Sequence, residues 1–411
     1  MTYEEIGRRV TVLRNRRGLS QQELAEAAGL GLSTVAKIEQ GHGGRMETFQ
    51  AIARALDVTT MMFVPRSAAA PDPQDENDAR DLALTHLTDA VMLPNGMPLW
   101  EVEDDEPNLD RLQHAARSFA SNYQENRYDA VAQMAPELIR SAHFHVDQLS
   151  GDRQKAALRL RGDLLGITGR YLVQIREHAL AFVTLNDALR DASAANDEEL
   201  WSSVVANLAW VMLRQRRFEA VSRLCEKAAD RVEPKISNAD AGQYASWGWL
   251  MLRAAAASAR NNRPTEAREF VAAATAAAAR IGQQHQTRVH TTFGPMTVSI
   301  QSHEVEMVLG QPNRALQIAE QLPQDPFVAP TALTLSPATW HRYLLERARA
   351  LAQTEQPAKA TELMSGLRRA APEWLRHQRL ARDVMSTLLH ARRRPFTEEQ
   401  QQLADYLRLD A

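Results

Sequence analysis

Most side chains able to do chemistry fail here on the spacing that chemistry needs. Gly41-His-Gly-Gly44 lacks the Gly-Lys-Ser/Thr of a phosphate-binding loop, and Gly29-Leu-Gly31 does not follow a strand. His143-Phe-His145 sets two imidazoles at i and i+2, which point to different faces of a helix, with no third ligand in register. Cys225 is the single cysteine, so there is no internal disulfide and no thiolate pair for zinc or redox work, and a reducing cytosol fits. No Ser-His-Asp or Cys-His grouping is signalled. Catalytic residues, a metal and a cofactor are therefore not expected. What remains is the stretch from Ser20 to Gly41, where Ser33 and Lys37 stand one helical turn apart and carry donors that can pair with base edges in a DNA groove.

The elements around those donors can be read locally. A first helix is expected over about Glu4 to Arg17, with Ile6, Val10 and Leu13 inward and Gly18 as its stop. Ser20-Gln-Gln-Glu23 has the form of a capping box opening a second helix through Ala27. Ala28-Gly29-Leu30 makes a tight turn that wants a residue without Cβ, and a third helix runs from about Leu32 to Gln40 before Gly41. A short helix, a glycine-containing turn and a second helix at a steep angle make a helix-turn-helix unit.

Gly18-Leu-Ser-Gln-Gln-Glu-Leu-Ala-Glu-Ala-Ala-Gly29, Ser33-Thr-Val-Ala-Lys-Ile-Glu-Gln-Gly41 and Ile52-Ala-Arg-Ala-Leu-Asp-Val58 together resemble the phage-repressor (Cro/C1, or XRE) DNA-binding domain over residues 4 to 64. The resemblance implies a five-helix fold and a set of roles. Gln21 matches a residue that binds backbone phosphate at the start of helix 2, and Arg45 a phosphate-contacting position after the recognition helix. Leu32, Ser33 and Lys37, with Thr34 beside them, match the face that enters the major groove. There Lys37 can donate to guanine O6 or N7, Ser33 to several base edges, and Leu32 can touch a thymine methyl. Arg14 and Glu39 match a pair that ties helix 1 to the recognition helix. Gly31 departs from the pattern where Ser or Thr often caps that helix, a weaker cap by tenths of a kcal/mol.

The chain has 411 residues, 48 Lys plus Arg and 51 Asp plus Glu, for a net charge of -3. A polycation that coats nucleic acid through charge alone is excluded. The sum hides a polarity, because residues 1–66 carry +2, residues 67–110 carry -11 and residues 111–411 carry +6. Three parts are expected: a DNA-binding domain at 1–66, an acidic linker with a short helix over about Leu82 to Leu93 at 67–110, and a helical repeat domain at 111–411. The linker serves as a solubilising tether or lies against the basic DNA-binding face. With only +2 on the reader, one copy is expected to bind poorly, and a homodimer on an inverted-repeat operator, with half-sites about 34 Å apart, is expected. The N-terminus has acids where a signal peptide has bases, and no apolar 18-residue run occurs, so no membrane is involved and a cytoplasmic location is expected.

Beyond residue 110 an alanine recurs shortly after a polar turn, at Ala130, Ala179, Ala220, Ala267, Ala315 and Ala360, with spacings of 49, 41, 47, 48 and 45. A small residue where two helices cross lets their backbones approach. Pro264, Pro312 and Pro357 sit where a first helical turn needs no N–H. These features resemble tetratricopeptide repeats with a period above the usual value of about 34 residues. Thr397-Glu-Glu-Gln400 reads as a capping box opening a terminal helix. The fold class is thus all-α, a helix-turn-helix domain followed by an α-solenoid of tetratricopeptide-like hairpins. Phe293-Gly-Pro295, Gly310-Gln-Pro-Asn-Arg-Ala-Leu316 and Ala371-Pro-Glu373 further resemble a group of actinobacterial XRE-plus-repeat regulators. Such a superhelix offers a groove for a peptide or small molecule. Asn207, Trp210, Tyr244, Trp247 and Phe293 are its candidate effector contacts, Asn207 by resemblance to peptide-sensing repeat regulators. The function expected is a ligand- or peptide-responsive transcriptional regulator, the alternative a DNA-localised scaffold whose repeats bind a partner protein.

Overall fold

The computed structural model describes the chain except residues 1–2, 18, 45, 57–83, 93–105, 236–238, 288–290, 324–334, 336, 377, 391–396, 408 and 410–411. The architecture is all-α. Four helices form the N-terminal unit: α1 (Tyr3–Arg16), α2 (Gln21–Ala28), α3 (Leu32–Glu39) and α4 (Met46–Ala55). A fifth would fall outside the described residues, as do Gly18, Arg45 and most of the acidic linker. Ile6, Val10, Leu24, Val35, Ile38, Phe49, Ile52 and Leu56 bury themselves together as a core of this unit's own. At about 1.5–3 kcal/mol per fully buried large aliphatic side chain, that small core is what holds the helices at their angles.

The short helix expected in the linker is α5 (84–91). Its Leu87, Ala90 and Val91, spaced i, i+3 and i+4, are buried in the first core of the repeat domain, so this part of the acidic segment belongs to that body. Six hairpins follow: α6 (Leu109–Gln124) with α7 (Tyr128–Gln148), α8 (Gly151–Gln174) with α9 (His178–Ala194), α10 (Glu198–Arg214) with α11 (Phe218–Arg231), α12 (Ala241–Arg260) with α13 (Pro264–Ile281), α14 (Pro295–Val308) with α15 (Pro312–Ala319), and α16 (Pro337–Gln353) with α17 (Pro357–Ala370). Each first helix packs on its own second helix and on the next first helix. Three end helices, α18 (Pro372–Arg376), α19 (Arg379–His390) and α20 (Glu398–Tyr406), close the stack. The last opens on the Thr397–Gln400 capping box, with Leu403 and Leu407 buried.

One turn design repeats in all six hairpins. Its key residue is left-handed: Asn126, Arg176, Arg216, Asn262, Gly310 and Glu355 have φ between 59° and 71°. The next N–H then reaches back five residues, Arg127 to Asn122, Glu177 to Leu172, Arg217 to Met212, Arg263 to Ser258, Gln311 to Glu306 and Gln356 to Leu351, at 2.8–3.0 Å. This is the Schellman closure of a helix end. With the turn fixed, the long period comes from long helices, 24 residues in α8 and 20 in α12.

The alanine register needs a correction. The position that meets the first helix lies five residues after the left-handed one and is completely buried in every hairpin: Val131, Ala181, Val221, Ala267, Ala315 and Ala360. Three of the expected alanines occupy it. Ala130, Ala179 and Ala220 fall one or two residues short, and Ala179 is exposed. Valine is accepted there in two hairpins, so the crossing needs a compact side chain rather than alanine.

A small antiparallel pair, β1 (His285–Gln286) and β2 (Thr292–Phe293), stands between α13 and α14. The two bodies of the protein touch at its far end. Gln50 of α4 donates its carboxamide N–H to the Val308 carbonyl at 2.8 Å. Its other side-chain atom, Oε1, lies over Gly310, where a Cβ would be 2.2 Å away.

Candidate nucleic-acid interface

The unit that presents the donors is built as its residue types require. Ser20 Oγ accepts from the Glu23 N–H at 3.2 Å, and the Glu23 carboxylate accepts from the Ser20 N–H at 2.7 Å. That reciprocal box starts α2 and leaves the N–H groups of Gln21 and Gln22, which have no intrahelical partner, at the positive end of the helix dipole. Gly29 ends α2 at φ 67°, and the turn delivers the chain into α3. No side chain caps α3 at Gly31.

Within α3 the faces separate. Val35 and Ile38 are buried in the core. Leu32, Ser33 and Lys37 are exposed and Thr34 is half-buried, so the expected groove-facing side chains all lie on or beside one solvent face. Leu32 keeps 48% of its surface in water although it is a large hydrophobic residue, which argues against a contact within the protein. Arg45 lies outside the described residues.

Behind that face a polar knot ties the helices. Arg14 Nε and Nη2 donate to the two Glu39 oxygens at 2.7 and 3.1 Å, and Arg14 Nη1 donates to the Leu19 carbonyl at 2.8 Å. Gln21 Nε2 adds a bond of 2.7 Å to Glu39. Burial pushes the Glu39 carboxyl up, but the bonds from Arg14 and Gln21 together with the Arg14 charge more than reverse it, leaving the group below its ordinary value. The Arg14–Glu39 pair is the one expected by resemblance. Gln21 shows a role beyond the one expected, because its side-chain amide joins the knot.

Gly7 gave no such signal in the sequence. A Cβ there would lie 2.5 Å from the Ile38 carbonyl oxygen and 2.7 Å from that of Glu39, so α1 rests directly on the end of α3. Both obstacles are backbone and cannot swing aside. Gly7→Ala is expected to destabilise the domain by about 1–3 kcal/mol and to weaken DNA binding by tilting α3. Gly31→Ala is the comparison, since its Cβ would meet nothing closer than 3.7 Å and the change costs only the weaker cap that alanine makes for α3. Urea unfolding and operator affinity of both variants check the difference.

Of the five candidate effector contacts, four lie on the neighbouring helices α10 and α12, and Phe293 stands apart on β2. Asn207 is nearly buried on α10, and Trp210, one turn on, is half-buried with the Arg214 and Arg253 guanidiniums over its ring at 5.8 and 5.7 Å. Tyr244 and Trp247 are half-buried near the start of α12 and pack against the second core of the repeat domain. Phe293 is corrected to a core residue. It has no exposed surface and fills the space over Gly248, whose absent Cβ would lie 2.0 Å from the ring. The His143 ring nitrogen, set aside as a metal ligand in the sequence, faces Arg161 Nη1 at 2.9 Å while Arg161 grips Asp191 with two bonds. Burial, then the Arg161 charge, lowers that imidazole to about 4. Cys225 is buried and its thiol is pushed up to about 12 by that burial, an unreactive core position.

An exposed donor face on a glycine-turned second helix, tied from behind by Arg14, Gln21 and Glu39, is the reading head of a Cro/C1-type helix-turn-helix domain. Comparison with known families agrees: the Helix-turn-helix family model matches residues 12–62. Residues 12–62 thus match that class of DNA-binding domain, and an all-α repeat body follows them. Among solved structures it is similar to PlcR of Bacillus thuringiensis, determined in complex with the peptide PapR7 and DNA, at 14% identity over 88% of this chain and 99% of that chain, with a TM-score of 0.35. No curated protein matches. Among the described residues no helix is long and apolar enough to cross a membrane.

Proposed function

We propose that the chain is a sequence-specific transcriptional regulator in which residues 1–66 read DNA and residues 111–411 sense a peptide or small-molecule effector and hold two copies together. The observation that carries the reading is the division of α3, with Val35 and Ile38 in the core while Leu32, Ser33 and Lys37 face water at the spacing of a groove-reading helix. Lys37 and Ser33 supply base-edge donors, Leu32 the apolar contact and Thr34 a flanking hydroxyl. Gln21, the α2 N-terminus and Arg45 anchor phosphates. Because the domain is small and only slightly basic, two copies on an inverted repeat supply the affinity that one lacks.

The direct test is binding to a duplex selected from a random pool by the full chain. Lys37→Ala with Ser33→Ala is expected to lose about 1–3 kcal/mol per base contact and to relax sequence preference, whereas Arg45→Ala weakens all duplexes alike. Unchanged preference in the double variant would remove α3 as the reader. Sedimentation of the chain with and without that duplex checks the dimer, and a strict monomer in both conditions would overturn it.

A further inference from the structure

The first helices of two consecutive hairpins, α10 and α12, bring two guanidiniums, Arg214 and Arg253, over one indole, that of Trp210. On α10, Trp210 and Arg214 stand one turn apart, and on α12, Trp249, Arg253 and Arg260 fall at i, i+4 and i+11 along one stripe. Arg253 lies between two indoles, 5.7 Å from the Trp210 ring centre and 5.1 Å from that of Trp249. Its Nε donates to the Ala206 carbonyl at 3.2 Å, across from α12 to α10. Glu304 of α14 accepts from Arg260 at 2.7 Å. Among the described residues neither Arg214 nor Arg253 has a carboxylate within 4 Å, although Arg214 is exposed and Arg253 half-buried, so both can be reached.

The electrostatics mark the same cluster. Crowding by the surrounding protein, which still leaves part of the Arg214 side chain in water, and then the charges of Arg342 and Arg260 lower Arg214 to about 10, and burial lowers Arg253 to about 10. Burial alone would raise Glu304, yet Arg260, Arg342 and Arg214 bring it down to about 2. Glu304 thus lies in the field of three guanidiniums, of which it bonds Arg260 while Arg342 pairs with Glu346. A planar guanidinium held in place by flanking indoles, with its outer N–H groups unpaired, is pre-organised for an oxyanion.

We propose that this face of α10, α12 and α14 binds an effector through a carboxylate or phosphate group gripped by Arg214 and Arg253, with Glu304 as the built-in competitor for Arg260. The proposal rests on the effector-sensing reading above and names the ligand's chemistry. It also gives a route to the DNA reader. Glu304 is one helical turn before Val308, whose carbonyl holds Gln50, so an anion that draws Arg260 away from Glu304 acts one turn from the contact between the two bodies.

Calorimetric titration of the full chain in a low-chloride buffer tests this, with citrate as the carboxylate probe and inorganic pyrophosphate as the phosphate probe. Saturable binding of either is expected, and which one binds distinguishes the two sources. Arg214→Gln and Arg253→Gln should each weaken it at least tenfold, and Glu304→Gln should strengthen it severalfold, an opposite sign that a merely structural role would not give. Arg223→Gln, which alters an exposed pair with Glu219 on α11, should change nothing. If Arg253→Gln fails to fold, the exposed Arg214 carries the test. No saturable binding of either probe, equal weakening by Arg223→Gln, or weaker binding by Glu304→Gln overturns the proposal. Operator affinity measured with uncharged fractions of a culture extract keeps the two readings apart, because a response there with no anion binding removes the oxyanion and leaves effector sensing standing.

Discussion

Glu39→Ala is expected to cost the DNA-binding domain about 3–5 kcal/mol, the magnitude found when one member of a buried ion pair is removed, and to abolish operator binding. The side chains are 5% and 12% exposed for Glu39 and Arg14, so most of the guanidinium left behind stays out of water with its charge unanswered, keeping its bonds to Asn15 and Leu19. Three elements lose their tie at once: α1 through Arg14, α2 through Gln21 and the end of α3 through Glu39 itself. A whole domain has only about 5–15 kcal/mol to lose, so this unit should open while the repeat body stays folded. Hydrogen exchange of the full chain reads this directly, with the amides of residues 3–39 losing protection and those of α8 to α12 keeping it. The pH sign follows from the lowered carboxyl. Its stabilisation is complete above the ordinary Glu value and fades as pH falls through the lower folded value. Glu39→Gln, which keeps shape but not charge, should therefore flatten the acid limb of domain stability.

The reading head was legible because its signals are local. A capping box, a glycine turn and two short apolar stripes define α2 and α3 without reference to anything distant, and the observed bounds agree within a residue or so. Gly7 was silent because its reason for being glycine is 31 residues away, at the carbonyl of Ile38. The repeat body was legible as a period and not as a register. Only one of its six hairpin turns places glycine at the left-handed position; asparagine, arginine and glutamate fill the others, with a back-reaching backbone bond offsetting the strain. Without glycine to mark the turns, an alanine a few residues later was the visible landmark, and in three hairpins it was the wrong neighbour of the packed residue. The unpaired guanidiniums were invisible for a related reason. Each arginine is ordinary on its own helix, and the cluster exists only once α10, α12, α14 and α16 are set side by side.

Phe293 is the clearest case of a residue whose aromatic character was read as ligand contact and whose burial makes it structural, and its removal carries the second large effect. Phe293→Ala is expected to cost about 3–5 kcal/mol, because the ring leaves a cavity whose floor is a glycine with nothing to fill it. Trp249, tilted against the ring with centroids 6.4 Å apart, loses its neighbour, and the short β1–β2 pair loses its anchor. Gly248→Ala alone should also destabilise, by about 1–3 kcal/mol, since a Cβ would strike three ring atoms at 2.0–2.7 Å in a site with no room to retreat. The decisive measurement is the double variant. With the ring gone the new methyl enters free space, so Gly248→Ala should become neutral or stabilising in the Phe293→Ala background, a coupling of about 0.5–3 kcal/mol. Strict additivity in urea unfolding would show that the ring does not rest on Gly248. The consequence reaches the DNA reader, because β2 leads directly into α14, the helix that carries both Glu304 and the Val308 carbonyl that Gln50 holds. Loosening the start of α14 should therefore lower hydrogen-exchange protection along that helix and at Gln50, while leaving α1 to α3 as protected as before.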